Sequence, residues 1–218
     1  MKPSPQDDVR AFYDASAEGY TQMMDAEILG PLYADLLRRL ADRLTGLEGA
    51  VLDTSCGPGH MLERYRRDFD PQRPLMGRYL SPEMVSLARK RLGADADLAV
   101  GDMRQMQDLP AGKAAAVLSY FALQHLDREE IVPTLRGWSR LLKPGGQLLV
   151  GAWEGEDRLD YGNQAPVDLQ AFGYPADDLK AWVEEAGFQV DRSHQESFEG
   201  LPLDGLYLEA TLPLSSQG

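Results

Sequence analysis

Hydrophobic positions along this chain follow two alternating rhythms. From Asp7 a helical pattern runs through Val9, Phe12 and Tyr13, with Tyr20 after a short break. Residues 1–6 carry two prolines and read as a frayed end. Ile28, Leu29, Leu32, Leu36, Leu37, Leu40 and Leu44 predict a second helix over about 26–44, which Gly30-Pro31 can kink or split. Short apolar runs then take over at Val51–Asp53, Pro74–Leu80, Asp97–Val100, Ala114–Phe121 and Gln147–Trp153, and each reads as a strand. Helical stretches lie between them. Ser81-Pro82-Glu83 supplies a hydroxyl N-cap and a proline at the first helical position, ahead of a buried face of Met84, Val85, Ala88 and Leu92. Asp127-Arg128-Glu129-Glu130 has capping-box spacing, although Pro133 predicts that regular helix starts nearer that residue. Leu179, Trp182, Val183 and Ala186 mark a last helix closed by Gly187, and Phe188–His194 and Leu206–Leu212 read as two final strands. Between the fifth strand and that last helix, residues 154–174 show no clear periodicity, and a loop of that length inside a compact domain is usually functional or disordered.

The chain is organised around one turn. Val51-Leu52-Asp53 ends an apolar run in a carboxylate, and Thr54-Ser55-Cys56-Gly57-Pro58-Gly59-His60 follows with little side-chain bulk before Met61 opens a helix. Gly57 and Gly59 allow a ligand to approach the backbone, and the helix N-terminus supplies oriented N–H groups. In a doubly wound sheet such a turn lies at the carboxyl edge of the first strand, where ligands bind.

Composition narrows the partners. With 218 residues, one domain spanning 1–218 is expected, and 35 acidic against 22 basic residues give a net charge of −13. That field repels phosphate backbones, so nucleic acid is not an expected partner. A single cysteine excludes an internal disulfide framework and fits a reducing compartment. No apolar run approaches the ~20 residues of a membrane span. The composition therefore predicts a soluble, cytoplasmic protein, monomer or homodimer, without a membrane partner. The single cysteine and three scattered histidines predict no metal site.

Asp53-Thr54-Ser55-Cys56-Gly57-Pro58-Gly59 resembles the first motif of the class I S-adenosylmethionine-dependent methyltransferases, an acid followed by Gly-x-Gly-x-Gly, with Ser55 where the first glycine usually stands. Gly101-Asp102-Met103, Leu142-Lys143-Pro144-Gly145-Gly146, and Tyr13-Asp14 with Tyr20 resemble further landmarks in the expected order, over roughly residues 9–153. The resemblance implies an α/β fold: a Rossmann-like, doubly wound, mostly parallel seven-stranded sheet with helices on both faces and N-terminal capping helices over 1–45. It implies S-adenosyl-L-methionine as cofactor and in-line methyl transfer, which orientation alone can favour by roughly 7–11 kcal/mol. The acidic surface and the lack of a recognition domain favour a small-molecule acceptor.

The same resemblance distributes roles. Asp53, Ser55, Cys56, Gly57 and Gly59 would hold the cofactor. Gly101, Asp102 and Met103 would meet adenine, unless Asp102 is a helix cap, with Met84 on the other face. Tyr13 and Tyr20 would cover the methionine end, unless they only pack the helix on the body. Ser119 to His125 would face the transferring group, with His125 either a base or a fastener of its loop. The 154–174 segment would be the substrate lid, with Trp153, Tyr161 and Tyr174 either walling an acceptor pocket or only anchoring the loop.

Strand two departs from the pattern. Tyr79, followed by Leu80, stands where the family places an acid that accepts both ribose hydroxyls, and a phenol cannot replace a bidentate carboxylate. Arg78 beside it could accommodate an anionic cofactor or point into solvent. These departures leave open a modified S-adenosylmethionine or a reaction that converts the cofactor itself. An NADP-dependent reductase and a non-catalytic ligand-binding module are weaker alternatives.

Overall fold

Two helices, α1 (Gln6–Glu27) and α2 (Pro31–Arg43), precede the first strand in this computed structural model, which describes residues 4–156, 158–160, 169–198 and 203–214. Strands and helices then alternate: β1 (Ala50–Asp53), α3 (His60–Asp68), β2 (Leu75–Tyr79), α4 (Pro82–Leu92), β3 (Ala96–Val100), β4 (Ala114–Tyr120), α5 (Arg128–Leu141) and β5 (Leu142–Glu154). A short ribbon, β6 (Arg158–Asp160) and β7 (Gln170–Phe172), leads to α6 (Ala176–Glu185), β8 (Gln189–Glu196) and β9 (Asp204–Thr211).

The main sheet has seven strands in the order β3-β2-β1-β4-β5-β9-β8. The first five pair in parallel, and β9 runs antiparallel between β5 and β8. The chain winds outward from β1 in one direction and from β4 in the other. The carboxyl ends of those two strands therefore form the switch point where a doubly wound sheet opens a crevice. Five apolar residues running to Leu118 and then Ser119 are buried on β4, as a central parallel strand requires. One face of the sheet packs Leu52, Val117 and Leu148 under α5 and α6, centred on Trp138. The other packs Leu118 and Leu149 under α2, α3 and α4, with Leu37, Leu62 and Tyr65. A third cluster of Val9, Tyr13, Ala17, Met84 and Leu169 fixes α1 across α4 at the ligand edge.

Three elements differ from the sequence reading. The first helix has no break before Tyr20; it is continuous to Glu27, and Gly30-Pro31 separates it fully from α2. Proline at the first position of α2 starts that helix and leaves Ile28 and Leu29 in the connection. Helix α5 begins at Arg128, well before Pro133, because Asp127 and Glu130 close a reciprocal capping box. The carbonyl that Pro133 leaves without a helical donor belongs to Glu129, which is exposed to water. The 154–174 segment is in part regular: Arg158, Leu159 and Asp160 pair with Phe172, Ala171 and Gln170. Ser4 ties the start of the chain to this ribbon, its N–H donating to the Gln170 carbonyl at 3.1 Å and its Oγ accepting from the Gln170 N–H at 2.8 Å. Tyr161 lies outside the described residues.

Candidate active site

The turn after β1 is stitched to both neighbouring strands. The Thr54 N–H donates to the Leu118 carbonyl on β4, and the Cys56 N–H donates to the Arg78 carbonyl on β2, each at 3.0 Å. Gly57 has φ +48°, and a Cβ there would meet only the Tyr20 ring, at 3.8 Å. The backbone at Gly57 is thus bare toward the space beneath α1. Gly59 does other work. It caps α3 at φ +87°, and its missing Cβ makes room for Leu92, which would otherwise lie 3.0 Å away. Cys56 fills the hollow left by Gly77 on β2, where an added Cβ would sit 2.9 Å from its sulfur. Burial pushes the Cys56 thiol well above its ordinary value, which leaves it un-ionised.

Asp53 is 3% exposed, and its Oδ1 accepts one hydrogen bond, from the Ser55 N–H at 3.0 Å. Burial raises its pKa to about 7 against the opposing pull of that N–H. With Ser55, Cys56, Gly57 and His60 it lines a cleft between the turn and α1, closed by Tyr20 and Phe121. A second cleft runs from Ser55 along the ends of β2 and β3. Tyr79, Leu80, Gly101 and Met103 form its floor and Gln6, Val9 and Tyr13 its roof.

Several expected contacts lie elsewhere. Met84 is fully buried under α1 rather than open to this cleft. Asp102 is forked by Arg104, whose Nη2 donates to Oδ2 at 2.7 Å and whose backbone N–H donates to Oδ1 at 2.9 Å. Arg104 in turn reaches Glu130 at 2.6 Å, so Asp102 is tied into the turn after β3, beside the cleft. Ser119 is fully buried, with its Oγ 3.5 Å from that of Ser55. Arg78 points away from Tyr79 but not into solvent: it is buried and donates to Asp97 at 3.1 and 3.2 Å, with Asp108 3.6 Å away. It is not available to an anionic cofactor.

Helix α1 closes over both clefts and is fastened along its length. The Tyr13 hydroxyl meets His125 Nε2 at 3.0 Å, and the Tyr13 ring packs edge-on against Tyr20 and Tyr79. Asp14 accepts a short hydrogen bond from the Ser81 hydroxyl, at the N-terminus of α4 where its charge meets the helix dipole. Further along, His60 Nε2 lies 3.2 Å from both the Thr21 carbonyl and Asp25, and Arg91 joins Asp25 and Glu63 at 2.7 Å each.

Beyond β4 the backbone turns at Phe121, the one non-glycine residue among those described with positive φ, at +49°. A bulky side chain in that conformation costs roughly 1–2 kcal/mol and is held by its surroundings. Its N–H donates to the Gly151 carbonyl at 2.7 Å, and its ring lies 4.6 Å from that of Trp153. His125 ends the short turn that follows, and burial lowers its pKa to about 4, leaving a neutral and weakly basic imidazole. Tyr174, expected to wall an acceptor, is instead 1% exposed, and its hydroxyl donates to the Leu123 and Leu126 carbonyls at 2.9 and 3.0 Å. It fastens the His125 turn from behind. Trp153 does face open space, a largely apolar pocket of about 300 Å³ with Tyr20, Met24, Phe121, Gln124 and Phe198. Glu27 at its edge accepts from the Tyr33 hydroxyl at 2.7 Å. Tyr20 and Phe121 line all three spaces and so stand at their junction.

Phe198, Met24 and Gln6 line these spaces and were passed over by sequence reasoning. Phe121 lay inside the Ser119–His125 span already singled out, but a positive φ has no sequence signature in phenylalanine. Gln6 fell within the prolines of the chain end, and Met24 within a helix counted only to its first turns.

Comparison with known proteins bears on this geometry. Residues 51–146 match a family profile described as a methyltransferase domain. The methyltransferase UcsB of Acremonium sp. is 32% identical over 204 residues, spanning 81% of this chain and 68% of that protein. Among solved structures, a Burkholderia thailandensis 1,6-didemethyltoxoflavin-N1-methyltransferase, bound to its substrate and S-adenosylhomocysteine, superposes with a TM-score of 0.72 at 17% identity, covering 94% of this chain and 87% of that one. The [4+2]-cyclase SpnF superposes with a TM-score of 0.69 at 21% identity, over 98% and 99%. With that fold, that turn and that relative, the chain belongs to the class I S-adenosylmethionine-dependent methyltransferases.

Proposed function

We propose that this methyltransferase transfers the methyl group of S-adenosylmethionine to a small, largely apolar, ring-bearing acceptor. The observation that carries the reading is that three neighbouring spaces share Tyr20 and Phe121 as lining residues. The residues present fit the cofactor in two respects. Gly57 is a cradle that a Cβ would fill, and Asp53 is a buried carboxylate with one donor, suited to an ammonium group. The Tyr120 hydroxyl, buried without a hydrogen-bond partner and lining both cofactor clefts, offers a further polar contact. When bound, S-adenosylmethionine supplies an electrophilic methyl group on a sulfonium leaving group.

What the protein adds is position and dryness. Tyr20 and Phe121 would hold the acceptor in line, while α1, latched through Tyr13 and Asp14, excludes water. Trp153, Phe121 and Phe198 suit a flat apolar ring, and Glu27 disfavours an anionic one. His125, a weak base already engaged by Tyr13, serves as the latch partner of the lid. The acceptor therefore reacts through an atom that needs no strong base from the enzyme, such as a ring nitrogen or a thiolate. The bound toxoflavin precursor of the Burkholderia neighbour is of that general kind.

The test is incubation with methyl-labelled S-adenosylmethionine and a panel of aromatic small molecules, nucleic acid and protein. Label in an organic-extractable small molecule is expected. Label confined to the nucleic-acid or protein fraction would overturn the acceptor class.

A further inference from the structure

Among the described residues, no carboxylate lines the cleft that runs over Tyr79, Leu80 and Gly101. Yet this is the end at which, on the reading above, an adenosine group brings two adjacent ribose hydroxyls that need acceptors. Tyr79 stands where an acid would serve both, and one phenol oxygen cannot. The opposite wall supplies another acceptor. Gln6, the first residue of α1, lines the same cleft, and its Oε1 is buried without a hydrogen-bond partner. A buried amide oxygen left without a donor is costly, so its persistence points to a partner that arrives with a ligand. The start of the helix that carries it is anchored: two residues earlier, Ser4 makes reciprocal hydrogen bonds with Gln170 of the β6–β7 ribbon, fixing the entry of α1.

We propose that Gln6 is a cofactor-binding residue that accepts a hydrogen bond from the ribose diol, taking over from the lid side the role that Tyr79 cannot fill on the sheet side. The proposal rests on the cofactor assignment above and deepens it. An acid on β2 would be present whether the lid is open or shut. An amide on α1 makes the contact only when α1 is closed, so recognition of the ribose and closure of the lid become one event.

The experiment is calorimetric titration of the full-length protein and its Gln6→Leu variant with S-adenosylhomocysteine and with the 2′,3′-dideoxy form of that compound. Wild-type protein should bind the natural ligand well and the dideoxy form about tenfold or more weaker. Gln6→Leu should lose about tenfold for the natural ligand and almost nothing for the dideoxy form, so that the two losses do not add. Adding Tyr79→Asp to Gln6→Leu should restore affinity for the natural ligand alone. Equal losses for both ligands, or none for either, would overturn the proposal, the first by showing that Gln6 acts only through packing of the lid. Failure of the wild type to bind S-adenosylhomocysteine at all would instead defeat the cofactor assignment.

Discussion

The Tyr13 hydroxyl lies 3.0 Å from Nε2 of His125, across 112 residues of chain, and joins the lid helix to the turn that follows β4. Each ring also packs edge-on against the other, with centroids 5.7 Å apart. Tyr13→Phe keeps the packing and removes the hydrogen bond. Cofactor affinity should fall about fivefold, since one neutral hydrogen bond contributes about 1 kcal/mol. His125→Asn should produce a loss of the same order, and the double variant should be no worse than either single one. A collapse of kcat in His125→Asn with cofactor affinity unchanged would instead make the imidazole a base. Titration calorimetry and single-turnover rates separate the two outcomes.

Asp53 ties binding to pH. Burial holds its pKa at about 7, so the carboxylate that would receive an ammonium group is half-protonated at neutrality. Affinity for S-adenosylhomocysteine should rise as pH increases through about 7, because the ionised form binds. Asp53→Asn should flatten that rise and weaken binding roughly ten- to a hundredfold above pH 7.5, the range for hydrogen bonds to charged groups. Calorimetry between pH 5.5 and 8.5 provides the curve.

The sequence disclosed the frame of this site better than its walls. Asp53, Gly57 and Gly101 carry backbone and charge requirements that only a few residue types satisfy, so their places could be read from type and spacing. The alternation of short apolar runs with helical stretches marked the strands, and their order in the sheet came only with the structure. The acceptor pocket resisted because its residues are ordinary in sequence. Trp153, Phe121 and Phe198 come from different elements and meet only after β5 pairs with β9. Tyr174 shows the reverse problem: an aromatic at the right place in the chain turned out to brace a turn, which only its hydrogen bonds to Leu123 and Leu126 reveal. Arg78 escaped both of its readings, because Asp97 on the neighbouring strand and Asp108 beyond it took up its charge.

Trp153 separates acceptor binding from cofactor binding. It lines the outer apolar pocket and neither of the two inner clefts. Trp153→Ala removes a large flat surface at some distance from the cofactor, so KM for the acceptor should rise roughly tenfold or more. Affinity for S-adenosylhomocysteine should stay within twofold. A parallel loss of cofactor affinity would show that the tryptophan supports Phe121 rather than the acceptor.

Asp53 and His125 also oppose each other in the pH dependence of stability. The Asp53 pKa is raised on folding, from 3.8 to about 7, so the folded state holds a proton that the unfolded chain releases. Its contribution is present below pH 4 and is lost as pH rises through 7. The His125 pKa is lowered, from 6.5 to about 4, so its contribution is present above pH 6.5 and is lost as pH falls toward 4. Between pH 4 and 6.5 the two slopes have opposite signs and largely cancel. Asp53→Asn should therefore unmask a steep rise of stability with pH across that window, and His125→Gln should unmask a fall. Relief of the buried charge should also make Asp53→Asn about 1–2 kcal/mol more stable than wild type at pH 7.5, the usual gain when a functional site is relaxed. Urea unfolding at half-unit steps from pH 4 to 8 measures all three curves. If Asp53→Asn proved less stable at pH 7.5, its carboxylate would be solvated or paired in solution, and the raised pKa on which its binding role depends would not hold.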